Sequence, residues 1–149
     1  MDVLEFRSKI GPNAVISIGG REYTVKEVVK FRFADGNYYI KCFLDGGFIF
    51  ADDLSENAFI LVKEIKTPFK RPFPEKLEFG GKELNFLFSA HAAAEEIQGI
   101  EIFKKGDSET FWDYAADDGS YLSLGINGQS GKRSDDWGKI VSNSDIIIK

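Results

Sequence analysis

The sequence predicts a mostly β fold: two tandem antiparallel lobes, barrel-like or sandwich-like, with little helix. Three observations predict it. Turn signals recur at short intervals, among them Gly19-Gly20, Asp35-Gly36-Asn37, Asp45-Gly46-Gly47, Gly80-Gly81, Asp118-Gly119-Ser120 and Asn127-Gly128. Short runs rich in β-branched and aromatic residues lie between them, and Asp-Gly or Asn-Gly supplies the positive φ of a tight hairpin turn. The succession then recurs in the second half of the chain.

In chain order, the strand-like runs are 14–18, 23–29, 38–44 and 48–51. Lys30-Phe31-Arg32-Phe33 alternates strictly, which places two basic side chains on one face and two rings on the other. A short helical turn is expected over 52–56, with an acid at its N-cap. Residues 84–88 and 100–103 read as strands, and the stretch 89–96 between them fits a helix by propensity or a strand with small residues against a close neighbour. No segment sustains an apolar stripe of helical period over three turns.

The repeat has three parts. Gly19-Gly20-Arg21-Glu22-Tyr23 is echoed by Gly80-Gly81-Lys82-Glu83-Leu84, and 39–50 by 111–123. Each half closes on an aliphatic run, 59–63 and 145–149. Residues 67–74 hold three of the four prolines, and proline confines itself and its predecessor to extended geometry. The expected organisation is an N-terminal β lobe over 1–67, a Pro-rich linker over 68–74 and a C-terminal β lobe over 75–149, packed as one unit.

Composition narrows the chemistry. The 149 residues include 14 Phe but one His, one Cys and one Met, so there is no His pair, no Cys pair and no metal cluster of soft ligands. Net charge is −5, and the acidic side chains concentrate in the second half, which disfavours binding to nucleic-acid phosphates or anionic membrane surfaces. No apolar run is long enough to span a bilayer, and the first ten residues carry no targeting pattern. Lone Cys42 suits a reducing compartment, so a cytoplasmic protein is expected, without membrane insertion.

Three stretches match a family. Gly19-Gly20-Arg21-Glu22-Tyr23-Thr24-Val25 resembles its first motif, a glycine and a basic residue before Tyr-x-Val. Residues 112–124, Trp-Asp-Tyr through a Gly turn to Leu-Ser-Leu, resemble the second. Gly138-Lys139-Ile140-Val141 with the aliphatic run 145–148 resembles its tail. The family is the bacterial domain-of-unknown-function family 4178. The resemblance implies no catalytic, cofactor-binding or ligand residue. That family often carries tryptophans in its first central hairpin, where this chain has Tyr38, Tyr39 and Phe48.

Candidate motifs fall short of catalysis or metal binding. His91 and Glu95 have the i, i+4 spacing of a helical metal pair but lack further ligands. Cys42, flanked by Ile40 and Phe43, reads as packing. Residues 125–132 mimic a phosphate loop, but the outer glycines are spaced wrongly and Arg133 replaces the hydroxyl residue. Asp113, Asp117 and Asp118 before Gly119 do not fit a helix-loop-helix calcium loop, and weak calcium binding by the Asp-rich turns stays open. In Phe111-Trp112-Asp113-Tyr114, residues 111 and 113 share one face while 112 and 114 share the other. Facing outward, the rings at 112 and 114 form a platform; facing inward they are core, which a Phe-rich β protein favours.

The sequence expectation is therefore a non-catalytic β-rich module for protein interaction or assembly, without catalytic, cofactor or metal residues. Its expected contact surface is Trp112, Tyr114, Asp117, Asp118 and Trp137, and its partner a protein. The alternative is a small-ligand-binding β protein with a Phe-lined pocket, ahead of a carboxylate-dependent hydrolase.

Overall fold

A computed structural model describes residues 1–149 apart from 101 and 103. Among the described residues one short α-helix precedes eleven strands: α1 (Val3–Lys9), β1 (Val15–Ile18), β2 (Arg21–Phe33), β3 (Tyr38–Leu44), β4 (Phe48–Asp53), β5 (Ala58–Ile65), β6 (Lys76–Phe79), β7 (Lys82–Gly99), β8 (Ser108–Ala115), β9 (Ser120–Asn127), β10 (Arg133–Val141) and β11 (Ile146–Ile148). The strands run in the order β11-β1-β2-β3-β4-β5-β10-β9-β8-β7-β6, and β2 also pairs with β7. That last pairing closes eight strands, β2 to β5 and β7 to β10, into an antiparallel barrel. The fold is thus mostly β and barrel-like, with little helix.

Each half supplies four consecutive barrel strands. The halves meet along two antiparallel seams, β5 with β10 and β2 with β7. The long strands β2 and β7 each begin by pairing with a short hairpin partner, β1 and β6, across the Gly19-Gly20 and Gly80-Gly81 turns. Residues 39–50 and 111–123 likewise occupy matching β3–β4 and β8–β9 hairpins. The two aliphatic runs do not match in this way. Residues 59–63 lie in β5, whose counterpart is β10, whereas Ile146–Ile148 forms β11 beside β1 at the outer edge of the sheet.

Both outer sides of the barrel are covered. On one side α1 lies on β4 and β5, with the Phe6 ring 5.6 Å from Phe50 and 5.1 Å from Phe59, inside a core that also holds Ile16, Val25, Cys42 and Ile146. Asp2 caps α1 by accepting from the Glu5 N–H at 2.8 Å, a contact worth about 1 kcal/mol. Arg7 then ties the helix to β4 through a two-pronged pair with Asp52, at 2.7 and 3.0 Å. On the other side the linker and the β6–β7 hairpin lie over β8, β9 and β10, around buried Leu77, Leu84, Tyr114, Leu122 and Leu124.

Of the strand expected over 100–103, residues 101 and 103 lie outside the described residues, and Ile100 and Ile102 lie beyond the end of β7. One local expectation is corrected and one open alternative is decided. The helical turn expected over 52–56 is absent: Asp52 stays in the β4 ladder opposite Phe59 and accepts from the Ile40 N–H, and the turn comprises residues 54–57. The stretch 89–96 is strand, part of β7. Ala92 and Ala94 are buried in the same cluster as Phe31 and Phe111, so pairing with β2 and β8 overrides their helix propensity. Closure also depends on Gly138, because a Cβ there would sit 2.0 Å from the Leu61 carbonyl oxygen of β5.

Candidate functional site

The strand alternation read from sequence sets what enters the lumen. On β2, Phe31 and Phe33 face inward while Lys30 and Arg32 pair with Glu95 at 3.5 and 2.8 Å. On β8, Glu109, Phe111 and Asp113 face inward; on β3, Tyr39 and Lys41; on β9, Tyr121 and Ser123; on β10, Asp136. All of these inward side chains except Phe31 line a cavity of about 710 Å³, which Arg7 and Arg32 also border. It reaches the surface at the end formed by the β2–β3 and β4–β5 turns, where Asp35, Asn37, Leu54 and Ser55 are exposed. The volume lies within the roughly 300–1,000 Å³ typical of small-molecule sites.

The cavity has three kinds of wall. Phe33, Tyr39, Phe88 and Phe111 form an aromatic side, with buried Phe31 stacked behind Tyr39 at 5.1 Å and Phe111 edge-on to Tyr39 at 5.9 Å. Ile49, Ala51, Ile60 and Val62 from β4 and β5 form an aliphatic side. The third is charged. The Lys41 ammonium lies 3.4 Å from a Glu109 carboxylate oxygen, with both side chains buried. Gly125 makes room for this carboxylate, since a Cβ there would lie 2.7 Å from Glu109 Oε1.

Asp113 accepts hydrogen bonds from the Ser123 hydroxyl at 2.5 Å and from the Tyr121 hydroxyl. Burial nevertheless raises its pKa to about 7, with Glu109 and Asp136 adding to the shift and the two hydroxyls opposing it. Asp136 is 5% exposed, and its Oδ1 has no hydrogen-bond partner among the described residues. Burial raises this carboxyl to about 6, opposed by Lys41 and assisted by Glu109, Glu64 and Asp135. Burial and the same carboxylates also push the Tyr39 phenol well above its ordinary value. Perturbed groups converging on one cavity mark a functional-site candidate.

The model of the family described as a domain of unknown function (DUF4178) matches residues 11–135. The chain belongs to the DUF4178 family. Comparison with curated proteins and with solved structures gave no match. Within the DUF4178 match lie the first two motifs read from sequence, and they serve the barrel: residues 19–25 build the β1–β2 hairpin, and 112–124 the β8–β9 hairpin with lumenal Asp113, Tyr121 and Ser123.

The residues singled out from sequence lie elsewhere. Tyr114 is fully buried outside the lumen, its hydroxyl donating to the Pro74 carbonyl at 2.7 Å, so it belongs to no exposed platform. Trp112 and Trp137 are half-buried on the same outer side, where the chain's own rings cover them: Phe73 lies 5.1 Å from Trp112, and Phe79 lies 5.1 Å from Trp137. Arg133 fastens the linker there, donating to the Phe69 carbonyl at 2.7 Å and to Asp135. Asp117 and Asp118 are exposed in the β8–β9 turn, with Asp118 paired to Lys82.

His91 is exposed on β7 beside the Thr110 hydroxyl at 2.8 Å, and a strand places Glu95 roughly 13 Å along the chain from it. Cys42 is buried in the helix-side core, where burial pushes its thiol pKa well up. Among the described residues no group of three or more His, Cys, Asp or Glu side chains could hold a metal ion, and no helix is long and apolar enough to cross a membrane.

Sequence reasoning missed Lys41, Glu109 and Asp136 as a group. The available signal was an ionisable residue beside a ring on one strand face, Lys41 two residues after Tyr39 and Glu109 two before Phe111. Asp136 carries no such signal, since Arg133, Asp135 and Lys139 make the other face of β10 charged as well.

Proposed function

We propose that this chain is a non-catalytic small-ligand-binding protein whose ligand occupies the barrel lumen. One observation carries the reading: a cavity of about 710 Å³ with aromatic and aliphatic walls on which Lys41, Glu109, Asp113, Tyr121 and Asp136 converge. Polar groups that cost stability when buried are expected where a ligand completes their bonding. The covering of Trp112 by the linker's Phe73 and of Trp137 by Phe79 of β6 favours this reading over a protein-docking surface at those rings. Asp113, engaged by two hydroxyls, is suited to positioning rather than to nucleophilic attack. The matching strand plans of the halves support descent from a duplicated four-strand unit, with the ligand space formed only when the units close.

A neutral apolar fluorophore, N-phenyl-1-naphthylamine, tests the reading. Wild-type protein should bind it saturably with enhanced emission, and Ala51→Trp, which fills the aliphatic wall, should weaken binding at least tenfold while a thermal melt reports intact folding. Equal binding by a folded Ala51→Trp variant would overturn the lumenal assignment.

A further inference from the structure

Asp136 is the one lumenal carboxylate of the described residues with an unsatisfied buried oxygen, since Glu109 has Lys41 and Asp113 has two hydroxyl donors. The charged groups that share the lumen with it are Lys41 from β3 and Glu109 and Asp113 from β8. Glu64 is exposed opposite it on β5, and its neighbour Asp135 points to the other face of β10, where Arg133 neutralises it. One ammonium therefore faces several carboxylates, and the local surplus is negative. A neutral donor would satisfy Oδ1 but leave that surplus, and an anion would be repelled. A cation carrying N–H donors answers both. The carboxylates do not converge in threes as metal ligands do among the described residues, and the facing walls are ring surfaces and aliphatic groups. Ring faces attract organic cations as well as flat apolar bodies.

We infer that the lumenal ligand is an organic cation, a protonated amine on a flat apolar body, whose N–H groups donate to the Asp136 carboxylate. The inference rests on the lumen being the ligand site, as proposed above. The aromatic wall of Phe33, Tyr39 and Phe111 takes the body, and the β10 side of the lumen takes the ammonium. Capture is coupled to proton release: ionised Asp136 binds the cation and protonated Asp136 does not. With the carboxyl raised to about 6, affinity for an amine rises as pH increases through that value and levels off above it.

Three probes of similar size separate the possibilities: 2-phenylethylamine, 2-phenylethanol and 3-phenylpropanoate, titrated calorimetrically into the full chain at pH 7.5 and pH 5.0. The amine should bind at least tenfold more tightly than the alcohol at pH 7.5, and the carboxylate most weakly. Lowering the pH to 5.0 should weaken the amine about tenfold, because roughly a tenth of a group titrating near 6 stays ionised there, and leave the alcohol unchanged. Asp136→Asn should abolish the amine preference without altering alcohol binding. The pH series on wild-type protein decides the matter even if that variant does not fold. Alcohol binding equal to the amine at both pH values would overturn the cation assignment while leaving the lumen a ligand site. Calcium competing with the amine would overturn the organic nature of the cation. Failure of all three probes to bind would overturn both readings.

Discussion

Replacing Asp136 by Asn should stabilise the protein, and by an amount that depends on pH. The carboxyl's ordinary value is 3.8 and burial lifts it to about 6. Below 3.8 both folded and unfolded chains hold the proton and the group contributes nothing. Between the two values the folded protein keeps a proton that the unfolded chain has released, so stability falls as pH rises; above about 6 the cost is constant. At roughly 1.4 kcal/mol per pH unit, the full cost is about 3 kcal/mol at pH 8 and about 1 kcal/mol at pH 4.5. Asparagine keeps the shape and carries no charge, so Asp136→Asn should gain about these amounts. For a chain of this length the gain at pH 8 corresponds to a Tm rise of roughly 6–12 °C. Urea unfolding of both proteins at pH 8.0 and 4.5 measures it. A gain that is the same at both pH values, or a loss at pH 8.0, would refute the argument that an ionised, under-bonded Asp136 is held in the lumen at the expense of stability.

Three other outcomes follow from the same geometry. Lys41→Met removes the ammonium beside Glu109 and should cost about 3–5 kcal/mol at pH 8, with a smaller loss at pH 5 as Asp113 and Asp136 take up protons; urea unfolding at both values checks it. Gly125→Ala places a methyl 2.7 Å from Glu109 Oε1 and from the Ser134 carbonyl oxygen, so a loss of about 1–3 kcal/mol is expected in thermal denaturation. Phe73→Ala uncovers Trp112 and should shift tryptophan emission to the red while leaving lumenal probe binding intact.

The strands and turns of the barrel are local in origin, which is why they are legible in the sequence. Asp-Gly and Gly-Gly turns place hairpins, and alternation correctly separates Phe31 and Phe33 from Lys30 and Arg32, and Phe111 and Asp113 from Trp112 and Tyr114. Closure is not local: nothing in β2 or β7 announces that they pair, and the alanines of 90–94 fit helix or strand until two neighbouring strands claim them. The helix α1 leaves only a faint trace, Asp2 three residues before Glu5, and Val3 three before Phe6. The site was obscured for a related reason. An acid alternating with apolar residues ordinarily faces water, but here α1, the linker and the β6–β7 hairpin bury the apolar outer face, so Glu109, Asp113 and Asp136 point into the barrel instead. The tryptophans, conspicuous in sequence, serve the outer layer.

The decisive measurement is a methyl NMR titration of wild-type protein with 2-phenylethylamine at pH 7.5. The lumenal account predicts saturable shifts at the Ile49, Ala51, Ile60 and Val62 methyl groups, with Leu77, Leu122 and Leu124 beneath the linker unmoved. Shifts confined to the leucines under the linker, or none at any methyl, would contradict it.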